Sequence, residues 1–273
     1  MQNRFLYFPE PMWPTESGLE YENMKLWHAT ADDYQGLVAA HDTPAPNGTL
    51  ILFHGNGGTA LDRGFYFKPF MELGFRVILA EYPKYGGRPG KVGEKPFVAA
   101  GLETVRLAYE QYKEPIYLVG ESLGCGVAAA IAKKTSVPIA GIILITPWDT
   151  LASVAKSLFP YLPVQLVLTD KYDSIGNLQA FKNKISVVGA ERDEILPASR
   201  DVIYKAEDRE KFRHTREKIG LRVPQSGFAH SMSDVLKIAA DVVIKGAGHN
   251  DWPMYAEVSL FKEITDFVKV DKN

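Results

Sequence analysis

Six short apolar runs constrain this chain more than any other feature. They are "TLILFH" (49–54), "FRVILAEY" (75–82), "IYLVG" (116–120), "IAGIILIT" (139–146), "KISVVGA" (184–190) and "ADVVIKG" (240–246). Nearly continuous apolar runs rich in Val, Ile and Leu suit strands buried on both faces, which is the habit of parallel sheets covered by helices. Helical patterns fall between the runs, at about 61–73, 94–112, 123–134, 198–218 and 255–269. Two earlier segments, "ENMKLWH" (22–28) and "YQGLVAAH" (34–41), alternate apolar with polar, as an antiparallel edge does. The expectation is an α/β fold: a doubly wound, mostly parallel eight-stranded sheet with antiparallel strands at its N-terminal edge. The longest apolar runs are far below the roughly 18 residues of a membrane span.

Composition removes several function classes. The 31 Lys+Arg and 33 Asp+Glu leave a formal net charge of -2, with no long block of one sign. Nothing there advertises nucleic acid, and nothing points to a membrane surface. The lone cysteine, Cys125, cannot form an intramolecular disulfide, so a cytoplasmic location is expected. The opening "MQNRFLYFPEP" lacks a leader's uninterrupted apolar core. No H-E-x-x-H and no Cys/His cluster is present, so no metal and no cofactor are expected.

The strongest chemical signal is "IYLVGESLGCGVAAAIAKK". It reads as a strand, then Gly120-Glu121-Ser122-Leu123-Gly124, then a helix, which is the G-x-S-x-G nucleophile elbow in the context it requires. The turn is sharp, so the flanking positions must be small. The serine then stands at the N-terminus of a helix, whose unpaired N–H groups and dipole favour developing negative charge. A serine nucleophile needs a base, and the base needs an orienting acid. "KISVVGAERDEILP" offers a strand followed by Asp193, and "ADVVIKGAGHNDW" a strand followed by His249. The order Ser, Asp, His is the one this strand–turn–helix chemistry uses. Asp149, at an earlier strand end, is the alternative acid. His54 lies in the "HGNGG" loop and reads as structural.

That loop has two readings. Gly55, Gly57 and Ala60 fit the G-x-G-x-x-G/A spacing of a dinucleotide site, with Glu81 placed for a ribose. The same "HG" string also fits an oxyanion loop.

The strings "LFHGNGG", "EYPKYGGRPG", "VGESLGCG", "YDSIGNL", "GAERDEILP" and "GAGHND" together resemble the α/β-hydrolase superfamily, over about Arg4 to the C-terminal helix. The resemblance is greatest to the serine-hydrolase branch that includes protein depalmitoylases and lipid or ester hydrolases. Cys125 departs from a commoner glycine, Glu81 from a commoner aspartate, and 205–232 is longer than the pattern. The resemblance implies one domain over 1–273. The apolar residues of 147–178 read either as core or as a small cap over an acyl pocket, and the charged 205–232 as a solvated face or as a lid or surface insertion. It makes "HGNGG" half of an oxyanion hole, with N–H groups of Asn56 or Gly57 joining that of Leu123, and it makes Glu81 a structural acid.

The expected reaction is cleavage of a carboxylic ester or thioester through an acyl-enzyme. Ser122 is the nucleophile, His249 the base and Asp193 its orienter. The substrate class is a small-molecule or lipid-like ester. Phe159, Tyr161 and Leu162 supply apolar contacts to its acyl or alcohol group. Three rivals stand beside it: acyl transfer or amide cleavage on the same triad, a nicotinamide oxidoreductase, and a non-catalytic binding protein on this fold. The sequence carries no signal for oligomeric state.

Overall fold

Alternation along the strands explains why the runs are apolar throughout. Ile51 and Phe53 pack into one hydrophobic cluster, while Leu50 and Leu52 pack into another on the opposite face. In the neighbouring run, Ile116 and Leu118 join the first face, while Tyr117 and Val119 join the second. Ile142 and Leu144 are likewise opposed to Ile143 and Ile145. Side chains two apart share a face, so a sheet with two cores needs apolar residues at every position. Each buried Leu or Ile contributes about 1.5–3 kcal/mol.

The computed structural model describes residues 6–29, 33–41, 44–45, 47–158, 161, 164, 168–192 and 240–248. Their strands are β1 (Met24–Trp27), β2 (Gly36–Ala39), β3 (Gly48–Phe53), β4 (Phe75–Ala80), β5 (Ile116–Glu121), β6 (Ile139–Ile145), β7 (Lys184–Arg192) and β8 (Ala240–Gly248). They form one sheet in the order β1-β2-β4-β3-β5-β6-β7-β8. β1 and β2 are antiparallel, β2 meets β4 antiparallel, and every later pairing is parallel. The helices Glu94–Tyr112 and Leu123–Lys134 cover the first face, and Phe67–Glu72 lies on the second.

The expected helix over 61–73 divides. Leu61–Tyr66 is a 3-10 helix, and Phe67–Glu72 is α-helical. Gly64 sits in the tight part, and a Cβ there would strike the Met24 and Glu22 side chains. That close approach to β1, with glycine's poor helix propensity, favours the short tight turn. The helical patterns at 198–218 and 255–269 lie outside the described residues.

The strand order reverses at β3. The chain leaves β3 for β4 on one side and returns to β5 on the other. In open α/β sheets the crevice beyond the carboxyl ends at such a reversal is the usual site. Here Phe53 is paired with Gly120, so the loops after β3 and β5 leave the sheet side by side. Farther along, Arg192 is paired with Gly248, so β7 and β8 end at the same level.

Part of 147–178 belongs to the core. Trp148, Leu151 and Tyr172 join the first cluster, and Leu168 packs against it.

Candidate active site

Ser122 has φ 51° and ψ -111°, a conformation L-residues rarely adopt. Such a residue costs about 1–3 kcal/mol and persists only when its surroundings dictate it. They do so here through backbone contacts. A Cβ at Gly120 would come within 2.5 Å of the Cys125 Cα. A Cβ at Gly124 would overlap the Phe53 carbonyl and lie 2.9 Å from that of His54. Gly124 therefore lets the first turn of the elbow helix rest directly on the end of β3. The Ser122 N–H donates to the Ile145 carbonyl at 2.9 Å, which ties the turn to β6. Cys125 is fully buried, and its thiol faces the Gly120 and Ile145 carbonyls at 3.1 and 3.3 Å.

The loop after β3 is held differently, by side chains. His54 and Glu81 are buried, with Nε2 2.9 Å from Oε1. The other ring nitrogen, Nδ1, is 2.8 Å from the Gly55 carbonyl, which can only accept. Both nitrogens are thus engaged, and His54 has none left to serve as a base. Glu81 also accepts from the Ala60 N–H at 2.9 Å and the Tyr82 N–H at 3.0 Å. It is the structural acid expected at this strand end, and its carboxylate is turned to the loop's own backbone.

Further anchors follow residue by residue. The Tyr82 hydroxyl donates to the His54 carbonyl at 2.9 Å. The Tyr85 hydroxyl donates to that of Asn56 at 2.7 Å, and the Phe8 N–H reaches the same oxygen at 3.2 Å. The Asn56 amide donates to the Leu6 carbonyl at 3.2 Å, so the N-terminal segment crosses the loop and is stitched to it. Burial pushes the Tyr82 and Tyr85 hydroxyls well above their usual range, which keeps both as donors.

Arg63 joins loop and elbow. Its Nη2 is 2.8 Å from Glu121 Oε1 and 3.3 Å from the Gly57 carbonyl, and its Nε is 3.3 Å from Glu121 Oε2. The Tyr66 hydroxyl donates to the same carboxylate at 3.3 Å. Gly55 marks how near the two segments come: a Cβ there would lie 3.7 Å from that of Ser122. Neither Arg63 nor Glu121 stands out in the sequence, because 58 positions separate the partners.

The remaining expected residues divide by position. Leu123 is the first residue of the elbow helix and is buried. Asp193 and His249 each follow a described strand end by one position and lie outside the described residues, as do Phe159 and Leu162. Tyr161 is 97% exposed. Asp149 accepts from the N–H of its neighbour Thr150 at 2.6 Å. No group of three or more His, Cys, Asp or Glu that could hold a metal occurs among the described residues. No described helix is long and apolar enough to cross a membrane.

Known proteins are similar to this chain in sequence or in fold. An uncharacterized protein of Mycobacterium tuberculosis is 29% identical over 205 residues, covering 72% of each chain. Mouse lysophosphatidylserine lipase ABHD12 is 26% identical over 211 residues, which span 70% of this chain but 53% of that one. The structure of a Pyrococcus furiosus esterase superposes with a TM-score of 0.59 at 15% identity, covering 97% of both chains. A family model for the alpha/beta hydrolase fold matches residues 48–211, from the start of β3 through β7. With that match, and with its strained serine between β5 and the following helix, the chain belongs to the α/β-hydrolase fold family.

Proposed function

We propose that the protein is a serine hydrolase that cleaves a carboxylic ester or thioester bearing an apolar acyl or alcohol group. The observation that carries this reading is Ser122, held at φ 51° by two glycines whose neighbours leave no room for a side chain. His249 takes the Ser122 proton as Oγ attacks the carbonyl, and Asp193 orients the imidazole. His249 then protonates the leaving alcohol or thiol, and water hydrolyses the acyl-enzyme.

The oxyanion hole is assigned to the N–H groups of Asn56, Gly57 and Leu123. Carbonyl and N–H point in opposite directions across a trans peptide. The Gly55 carbonyl faces His54, and the Asn56 carbonyl faces Tyr85 and Phe8. The N–H groups of Asn56 and Gly57 are therefore aimed away from those anchors. That of Leu123 heads a helix, where it has no partner within the helix. The mouse relative's name, lysophosphatidylserine lipase, supports an ester with an apolar acyl group. A nicotinamide site is disfavoured, because Glu81 is buried and both of its oxygens are engaged by His54, Ala60 and Tyr82.

The test is intact-mass analysis after treatment with a fluorophosphonate, with Ser122→Ala alongside. One adduct on the wild type and none on the variant is expected. Turnover of a short p-nitrophenyl ester should fall about 10⁶-fold in the variant, since the triad acts as a unit. A folded wild type that takes no adduct, or a variant that keeps its adduct, overturns the assignment.

A further inference from the structure

Glu121 is an unexpected neighbour for an oxyanion. It immediately precedes Ser122, and its Oε1 would lie 3.6 Å from a Cβ placed on Gly55, with the Ser122 Cβ at 3.7 Å from the same point. A carboxylate and the reacting serine thus flank Gly55 of the proposed oxyanion loop. Negative charge developing on a carbonyl oxygen there would be opposed by a bare Glu121. Two like charges about 6 Å apart at an effective dielectric of about 20 alter a rate by about a hundredfold.

Arg63 answers that charge. The guanidinium meets both carboxylate oxygens, at 2.8 and 3.3 Å, with 14% and 13% of the two side chains exposed. The same Nη2 reaches the Gly57 carbonyl, and Nη1 would be 2.6 Å from a Cβ on Gly58. One planar fork therefore lies along the loop and grips the elbow. Lysine could supply the charge but not the fork. Burial disfavours a charged Arg63, and Glu121 outweighs it by charge and hydrogen bond, so the guanidinium is held protonated above its ordinary range.

We propose that Arg63 is a positioning residue for the hydrolase reaction, which neutralises Glu121 beside the site of the oxyanion and ties the Gly57 carbonyl to the nucleophile elbow. This inference rests on Ser122 being the nucleophile. The effect of Arg63 and Glu121 is on the field at the reacting atoms and on the alignment of the loop N–H groups.

A charge-reversal cycle tests it, using the full chain, a p-nitrophenyl ester and the rate of fluorophosphonate labelling. Arg63→Gln should lower kcat and the labelling rate about 30- to 100-fold, with KM within about threefold. Glu121→Gln alone should be no more than about threefold slower than wild type, because it leaves the positive Arg63 beside the oxyanion. The double variant should recover to within about tenfold, because removing the carboxylate removes what Arg63 offsets. A purely structural clamp would not recover; a double variant as slow as Arg63→Gln, or slower, overturns the inference. If Arg63→Gln does not fold, Arg63→Lys keeps the charge and loses the fork. It should then retain at least a tenth of the wild-type rate, and a folded but silent Arg63→Lys also overturns the inference. A wild type that takes no label removes the nucleophile reading and this inference with it. A labelled wild type without recovery removes this inference alone.

Discussion

The elbow and the loop beside it solve the same problem in opposite ways. The elbow around Ser122 is shaped by missing side chains: Gly120 and Gly124 let backbone lie on backbone, and no polar side chain is needed to hold φ at 51°. The loop at 54–58 is shaped by side chains brought from elsewhere, namely Glu81, Tyr82, Tyr85 and Arg63. Steric exclusion has no soft direction and fails all at once. Hydrogen bonds can be removed singly, each at a net cost of about 1 kcal/mol. Changes to the elbow should therefore act on folding, and changes to the loop anchors on rate.

Gly124→Ala is the sharpest way to break this contrast. Its Cβ has nowhere to go except into the Phe53 carbonyl, and the helix must move off β3. We expect a loss of about 3 kcal/mol or more, read as soluble expression and thermal unfolding. A Gly124→Ala protein with wild-type Tm would show that the helix end is free to shift, and that the elbow is not sterically fixed.

Alkaline pH acts on the other region. Burial raises the hydroxyls of Tyr82 and Tyr85 well above 10.0. A raised folded value favours the protonated state, so the stabilisation is whole below the unfolded value near 10. It is lost as pH rises beyond that point, by up to about 1.4 kcal/mol per unit for each group. Denaturant midpoints should therefore be insensitive to these tyrosines from pH 7 to 9 and fall above pH 10. A flat profile to pH 11 would mean that these hydroxyls are not the loop's buried anchors.

How much of this was legible in the sequence follows from the range of each interaction. The strands could be placed because burial on both faces writes itself into every residue of a run such as Ile142, Ile143, Leu144 and Ile145. The elbow could be placed because its motif lies within five residues, although the carbonyls that exclude a side chain at Gly124 come from Phe53 and His54. Glu81 as a structural acid followed from the family pattern, and its buried pairing with His54 agrees. The Arg63–Glu121 clamp was missed, as was the link from Tyr7 to Asp170. These contacts span 58 and 163 positions and leave no periodic trace. The division of the helix after Tyr66 was also missed, because the close approach of Gly64 to Met24 leaves no periodic trace.

Tyr85→Phe sharpens the comparison at the loop. It removes the donor to the Asn56 carbonyl and one of the two acceptors of the Phe8 N–H while leaving the ring in place. With the oxyanion N–H groups no longer held at their angle, kcat should fall about tenfold and KM hold, at a stability cost of about 1–2 kcal/mol. Steady-state kinetics and thermal melts on one preparation separate the two effects. An unchanged kcat would mean that the loop's other anchors fix it without Tyr85.

Tyr7→Phe is the subtler probe, because Tyr7 holds the strap and not the loop. Its hydroxyl donates to Asp170 Oδ2 at 2.6 Å and lies 2.9 Å from the Tyr172 hydroxyl, in a buried cluster that fastens the N-terminal segment to the chain near 170. With its hydrogen on Asp170, the Tyr7 oxygen accepts from Tyr172, so phenylalanine leaves that buried donor without its partner. The expected cost is about 1 kcal/mol of stability. The strap meets the loop through Leu6 and Phe8 backbone, which the substitution leaves intact, so kcat should stay within about twofold. A loss of rate as large as that of Tyr85→Phe would show that the loop takes its alignment from the strap. The division between an elbow held by packing and a loop held by its own anchors would then have to include residues 6–8 among those anchors.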